Sequence, residues 1–420
     1  MCDSLCRVTD RGTIFAKSSD RPVGEPQIVE TFPAESVPSG ATTTRTQYLT
    51  VERTGSLACL LSRPVWLWGA EHGINSNKVV IGNEKVFTID DPYEAPPALT
   101  GMDLVRLGLE RGRTAREALD VITDLLDRYG QGGVGDAKAN EPYWSSFLIA
   151  DPIEAWILET SYKTWAAHRV DASHDGIAAI SNRLTLGRNW EVSSPDVPSG
   201  SDFDSWRSPA APTGHADVRL SASQSFLASL DDHSDGGRDP RREANFVHED
   251  VLDEIGEFAA HMRDHGTGRW GNPLRELDDA VPPPTVLLPD GTGVTICMHV
   301  RGFIATAASM LAFLPSGEGE SPRAWVALGS PCSSVFIPVL PPHAAPRELA
   351  SESTWQRFDE LRRQVENDPP YIEAVRSVLA PIERSLWLEA SEFDTSAKQW
   401  STFHEDASRR VLAGLESLGV

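Results

Sequence analysis

The residue best suited to chemistry is a cysteine directly behind the first methionine, in Met1-Cys2-Asp3-Ser4-Leu5-Cys6. Methionine aminopeptidases remove Met1 when the second residue is small, which would leave a thiol and a free α-amine on one residue. An α-amine titrates ordinarily at about 7.7–8.0 and a thiol at about 8.5, so a proton can pass between them near neutral pH at little cost. Such a residue is a nucleophile carrying its own base, and it requires no histidine. It does need a carboxylate or amide to orient the amine, a positive group to keep the amine neutral, and donors for a tetrahedral oxyanion. Lys17 and Asp20, in Ala16-Lys17-Ser18-Ser19-Asp20-Arg21-Pro22, are the nearest candidates. By itself a Lys-x-x-Asp spacing describes a solvated pair equally well.

The elements that would position these groups begin with a β-hairpin. Apolar runs at 2–8 and 13–17 flank Thr9-Asp10-Arg11-Gly12, whose Asp and Gly favour a tight turn. Cys2, Ser4 and Cys6 then share one face, with Cys2 and Cys6 roughly 13 Å apart at about 3.3 Å per residue, too far for a disulfide or a shared metal. Strand-like segments follow at Gln27–Phe32, Gln47–Glu52, Leu57–Leu61 and Val79–Glu84, the last carrying Asn83 near its end, where Asn is commonly a turn residue. Residues 102–129 read as two helices, the second opened by a capping box at Thr114–Glu117 and stopped at Gly130. Phe147–Ala150, Ala155–Glu159 and Trp165–Arg169 read as an antiparallel meander, and Gly176–Ser181 as a further strand running into Asn182. Residues 188–242 read as loop with a helix or two around an apolar stretch at Leu220–Leu230, and Pro282-Pro283-Pro284 as a connection. Strands are expected again at Gly293–Val300 and Ala324–Leu328, a linker at 341–346, and helices at Glu352–Val365, Ile372–Ala380 and Lys398–Leu418. Strands, then helices, then strands indicate an α+β fold of stacked sheets and not a Rossmann alternation. The expected division is a catalytic domain over 1–340 and a helical extension over 341–420.

Several blocks resemble the secernin and dipeptidase A family of N-terminal-nucleophile cysteine hydrolases. They are Cys2–Leu5, Phe15–Pro22, Ser62–Asn75, Val80–Glu84, Gly101–Arg106, Ala155–Thr160 and Ile180–Leu184, in the family's order. The resemblance spans about residues 2 to 340, and its specificity lies in the set and not in any one block. It implies a four-layer αββα sandwich and hydrolysis of a C–N amide bond in a dipeptide or acyl-amide, through a thioester on Cys2. Related N-terminal-cysteine amidases, the penicillin V acylase and bile salt hydrolase group, use a basic residue and an Asp on the second strand and two Asn further along. By position these are Lys17, Asp20, Asn83 and Asn182. Lys17 stands where those amidases have Arg, so it supplies charge without a bidentate fork. A second Arg used by those amidases has no clear counterpart; Arg301 is a guess.

Trp66 and Trp68, on a loop bounded by Pro64 and Gly69, are candidates to line a substrate pocket, although packing on the core accounts for them equally. Glu71 and His72 are candidates to border the pocket near Asn83, although a surface turn explains them as well. His299 is a further pocket candidate, although it lies in an apolar run, where a histidine is more often a satisfied core residue. Cys6, Cys297 and Cys332 read as small core hydrophobes. No pair of His or Cys has zinc-site spacing, so neither metal nor cofactor is expected.

A formal charge of −23 without a basic run argues against nucleic acid and against an anionic membrane surface. No stretch approaches the roughly 18 apolar residues of a membrane span, and no signal-peptide pattern is seen, so a cytoplasmic protein is expected; that it acts on a small amide or peptide is what the resemblance implies. Homo-oligomerisation is left open. The rival reading keeps the scaffold and Cys2 but binds without hydrolysis, or performs acyl transfer or cyclisation.

Overall fold

The computed structural model describes residues 1–36, 42–231, 249–275, 292–341, 343–393 and 395–420. Strands β1 (Cys2–Thr9) and β2 (Gly12–Pro22) form the opening hairpin; β3 (Gln27–Phe32) and a small ribbon of β4 (Thr43–Arg45) and β5 (Thr50–Glu52) follow. Next come β6 (Cys59–Pro64), β7 (His72–Asn75), β8 (Val80–Val86), and helices α1 (Gly101–Arg111) and α2 (Ala115–Tyr129). A short pair, β9 (Val134–Asp136) and β10 (Glu141–Pro142), precedes β11 (Trp144–Ala150), β12 (Glu154–Ser161), β13 (Thr164–Asp171), β14 (Ile177–Ile180) and β15 (Val192–Ser193). Helices α3 (Thr213–Asp231) and α4 (Glu249–His261) lead to β16 (His299–Val300), β17 (Ile304–Pro315), β18 (Arg323–Leu328) and β19 (Ile337–Val339), and the chain closes with α5 (Glu352–Asn367), α6 (Tyr371–Ser391) and α7 (Ala397–Ser417).

Two antiparallel sheets stack face to face. The first has the order β14-β1-β2-β17-β18-β19, with β16 on β17; the second has the order β15-β13-β12-β11-β8-β7-β6-β3. Alternation along the opening hairpin assigns its two faces. Cys6 and Phe15 point into the apolar layer between the sheets, while Leu5 and Ala16 point into the layer beneath α3 and α4. On the second sheet, Ile81, Phe147 and Leu158 pack outward against Leu104, Leu107, Ile122 and Leu125 of α1 and α2. The architecture is therefore the expected αββα sandwich.

Local signals explain most elements. Gly12, at φ 133°, closes the β1–β2 turn, and a Cβ there would stand 2.2 Å from the Leu314 carbonyl oxygen. The reciprocal capping box sits at Thr100 and Asp103, one helix earlier than expected. At α2 the Thr114 hydroxyl accepts from the Glu117 N–H at 3.1 Å, but the Glu117 carboxylate accepts from the Arg113 N–H instead of closing the box. Strand β17 is the main element absent from the sequence reading. All twelve of its residues are buried and it pairs with both β2 and β18. Ile304-Ala-Thr-Ala-Ala-Ser-Met-Leu-Ala-Phe-Leu-Pro315 has few β-branched residues and no alternation, because both faces are covered.

Helices α5 to α7 extend the layer between the sheets through Trp355, Phe358, Leu379, Trp400 and Phe403. Trp355 donates its indole N–H to the Ala307 carbonyl of β17 at 2.8 Å. Glu383 of α6 bridges two buried arginines, Arg263 at 2.6 Å and Arg376 at 2.8 Å. The helix α6 continues through Pro381 and outruns the expected 372–380 span. Pro282-Pro283-Pro284 and residues 232–242 lie outside the described residues. No described helix is long and apolar enough to cross a membrane.

Candidate active site at the start of the first strand

The register of the opening hairpin sets the site. Cys2 faces Ser19, Asp3 faces Ser18, and Ser4 faces Lys17. Lys17 and Asp20 are three residues apart on one strand, so they point to opposite faces of the sheet. Cys2, at the start of β1, pairs with Ser19, between the two.

On the inter-sheet face Lys17 is wholly buried. Its ammonium donates to the Asn83 carbonyl at 2.7 Å, to the Ser18 carbonyl at 3.3 Å and to Glu84 Oε1 at 3.3 Å. Ser4 donates to the same carboxylate oxygen at 2.6 Å. Burial alone would lower the Lys17 ammonium, but the Glu84 and Glu71 carboxylates beside it hold it above its ordinary value, so it stays charged. Gly82 makes this fit possible: a Cβ there would lie 2.5 Å from Lys17 Cδ and 2.6 Å from Ser4 Oγ. Asn83 sits mid-strand in β8, opposite Phe147, and not in a turn. Its amide, with the nitrogen toward Glu71, donates to that residue's Oε2 at 3.3 Å and carbonyl at 2.8 Å.

Glu71 is the nearest acidic group to the thiol, with Oε2 4.0 Å from Cys2 Sγ. Arg21 holds its other oxygen at 2.9 Å, and is itself fixed by Glu25, the Gly135 carbonyl and Tyr143. Trp66 joins this chain by donating to Glu25 Oε1 at 3.2 Å. Trp68 turns away, with the Arg106 guanidinium 4.2 Å above its ring. His72 lies behind Ser19, Nδ1 to Oγ at 3.1 Å, and burial keeps its imidazole neutral.

The opposite face holds Asp3, Asp20 and an arginine that the sequence did not single out. Arg219, from α3, is 1 % exposed and contacts the Asp3 carboxylate, the Cys2 carbonyl at 3.1 Å and Asn182 Oδ1 at 2.7 Å. It also lies 3.9 Å from Asp20 Oδ2. Arg301, the candidate that the sequence offered for a second arginine, is instead an exposed turn residue after β16 and takes no part here. The signal for Arg219 was weak but present: a lone cation one residue before the apolar run at Leu220–Leu230.

Asn182 converges on the same point. Its Oδ1 accepts from the Cys2 backbone N–H at 2.9 Å, while its Nδ2 donates to the Lys85 carbonyl at 2.8 Å, fixing the amide's orientation. Asp20 Oδ1 accepts from the Thr306 hydroxyl at 2.7 Å, and its Oδ2 has no hydrogen-bond partner. Burial pushes the Asp20 carboxyl up to about 6, against the pull of the terminal amine and Arg219.

Met1 continues the hairpin ladder: its amine donates to the Asp20 carbonyl at 3.1 Å and its carbonyl accepts from the Asp20 N–H at 2.9 Å. With Met1 in place Cys2 is 5 % exposed, and burial pushes its thiol up despite the nearby Lys17. The sulfur is thus a thiol that needs a base, not a ready thiolate. Trp66 is linked to the thiol only through Glu25, Arg21 and Glu71, whereas Lys17, Asp20, Asn83 and Asn182 gather around Cys2. His299 does not; it lies in a separate buried cluster.

Residues 68–201 match the model of peptidase family C69, a segment that includes Glu71, Asn83 and Asn182. Among solved structures, a C2A mutant of conjugated bile acid hydrolase from Clostridium perfringens aligns at TM-score 0.41 and 10 % identity, over 77 % of this chain and 88 % of that one. Penicillin V acylase from Agrobacterium tumefaciens aligns at TM-score 0.38 and 11 % identity, over 81 % and 86 %.

Proposed function

We propose that this chain, with its segment of peptidase family C69, hydrolyses a C–N amide bond using the thiol of Cys2 as nucleophile and the α-amine of Cys2, freed by loss of Met1, as base. One observation carries the reading. The Cys2 nitrogen already lies 2.9 Å from Asn182 Oδ1, which Arg219 fixes from the other side at 2.7 Å. An amine at that nitrogen finds its acceptor in place.

In the forward step the thiol proton passes to the amine as sulfur bonds to the substrate carbonyl carbon. The ammonium then returns the proton to the leaving nitrogen, the C–N bond breaks, and a thioester remains. Water, deprotonated by the same amine, attacks the thioester, and the sulfur leaves as the thiol. Asn182 and Asp20 orient the amine. Lys17 and Arg219 supply positive charge on the two faces, which disfavours an ammonium and so keeps the base neutral. Asn83, whose amide is taken up by Glu71, positions that carboxylate beside the thiol, and the Asp20 N–H, which loses the Met1 carbonyl, is the donor offered to the oxyanion. Trp66 would border the bound substrate.

The test is to mix the enzyme with dipeptides and acyl-amides and quench within one turnover. An acyl adduct on Cys2 that decays to free acid is expected. An adduct that passes to an amine acceptor without hydrolysis would favour acyl transfer, and labelling of Cys2 by an electrophile without any turnover would favour a binding protein.

A further inference from the structure

A second concentration of reactive side chains lies behind the catalytic face. His265, in the loop after α4, Cys297 just before β16, His299 on β16 and Cys332 between β18 and β19 place their donor atoms within 4.8 Å of one another. All four are buried, at 3 % exposure or less. His299 Nε2 stands 3.4 Å from Cys297 Sγ and 3.3 Å from Cys332 Sγ. Its ring is 5.1 Å from that of His265.

Burial of this set needs a reason. Neither ring nitrogen of His265 makes a hydrogen bond of normal geometry, an expensive state for a buried imidazole. His299 points Nδ1 at Glu366 Oε1 at 2.9 Å, leaving Nε2 directed at the two sulfurs. A carboxylate on the far nitrogen of an inward-facing imidazole is the arrangement that orients a metal-bound histidine. Glu366 is in turn fixed by Arg362 at 2.6 Å. Around a tetrahedral zinc, with bonds of about 2.3 Å to sulfur and 2.0–2.1 Å to nitrogen, neighbouring ligand atoms stand about 3.3–3.8 Å apart, which the sulfur–nitrogen distances match. Two thiolates and two neutral imidazoles around a divalent ion also sum to no net charge, which removes the cost of burying a free thiolate.

We propose that His265, Cys297, His299 and Cys332 bind one zinc-class divalent cation in a closed, structural tetrahedral site. A thiol nucleophile at Cys332, with His299 and Glu366 as its base and orienter, is the other chemistry these residues suggest, but every member is enclosed and no carbonyl can reach the sulfur. Two sulfurs and two imidazoles favour zinc over calcium or magnesium, which take oxygen ligands. The site ties three segments together, the loop after α4, residues 297–299 and the β18–β19 connection, and Glu366 adds α5. It also reaches the catalytic face. Met298, between two of the ligands, donates its N–H to Thr306 Oγ1 at 2.8 Å, and Thr306 holds Asp20 at 2.7 Å.

Metal analysis of the purified full chain under reducing conditions tests this, independently of Cys2. About one zinc per chain is expected, together with a lower melting temperature after a strong chelator removes it. Cys332→Ser and His265→Ala should each lose most of the metal, Glu366→Gln should weaken affinity about 10–100-fold, and Cys6→Ser should retain it. Should a ligand variant fail to fold, cobalt-loaded wild type should show the intense visible absorption of tetrahedral thiolate ligation. Wild type that neither contains zinc nor takes it up on dialysis, or a Cys297–Cys332 disulfide in the unreduced protein, would overturn the proposal.

Discussion

Cys2 and Cys332 are both buried thiols, and the difference lies in what encloses them. Beside Cys2 stands a residue that processing can remove: Met1, held by two backbone hydrogen bonds to Asp20. Around Cys332 the enclosure is the fold itself, with His299, Cys297 and His265 filling the directions from which a substrate would come. A nucleophile needs one open approach and an asymmetric set of partners, whereas a structural metal needs all four directions closed. Cys2 lies between Lys17 on one face and Arg219 on the other, while the groups gathered at Cys332 are Cys297, His265 and His299.

The contrast can be broken most sharply at the sulfurs. Cys2→Ala should lower amide turnover by on the order of 10⁴-fold or more, as for removal of a nucleophile elsewhere, with little change in melting temperature. Comparable activity in that variant would end the account of Cys2. Arg219→Met tests the charge on the helix-side face. It leaves the Asp3 carboxylate buried without its partner, so a loss of about 3–5 kcal/mol is expected in denaturant titrations. Asn182→Ala removes the acceptor for the amine, and kcat should fall about 10²–10³-fold with a smaller change in KM. Loss confined to KM would assign Asn182 to substrate binding alone.

The Asp20 carboxyl gives a pH signature. Held at about 6 by burial, it must ionise to orient an amine, so kcat/KM should rise as pH increases through about 6, and Asp20→Asn should abolish that limb. The sign for stability is opposite. A carboxyl whose folded value lies above its unfolded one favours the folded state when protonated, and that contribution is lost as pH rises through about 6. The smallest effect is expected at Trp66→Ala, a change of a few-fold in KM, since Trp66 reaches the thiol only through Glu25, Arg21 and Glu71.

What the sequence disclosed follows from how local each signal is. The hairpin, the two helices at 101–129 and the meander at 144–171 were readable because turn residues, caps and alternation act over a few positions. The grouping of Lys17, Asp20, Asn83 and Asn182 came from ordered motifs and not from spacing, since Cys2 and Asn182 meet across 180 residues. Strand β17 escaped because full burial on both faces erases the period-two pattern. Arg219 escaped because its helix is apolar on several sides and gives no stripe to mark an inward cation. The His265, Cys297, His299 and Cys332 cluster escaped because only Cys297 and His299 are near neighbours in the chain; the others arrive by way of α4 and the β18–β19 connection.

The central claim is that the working enzyme begins at Cys2. Intact mass of purified, catalytically active protein tests it directly. A chain lighter by one methionine residue, whose Cys2 alone gains an acyl group during turnover, is the predicted result. An active enzyme that retains Met1 would contradict it, because the α-amine that serves as base would then be an amide.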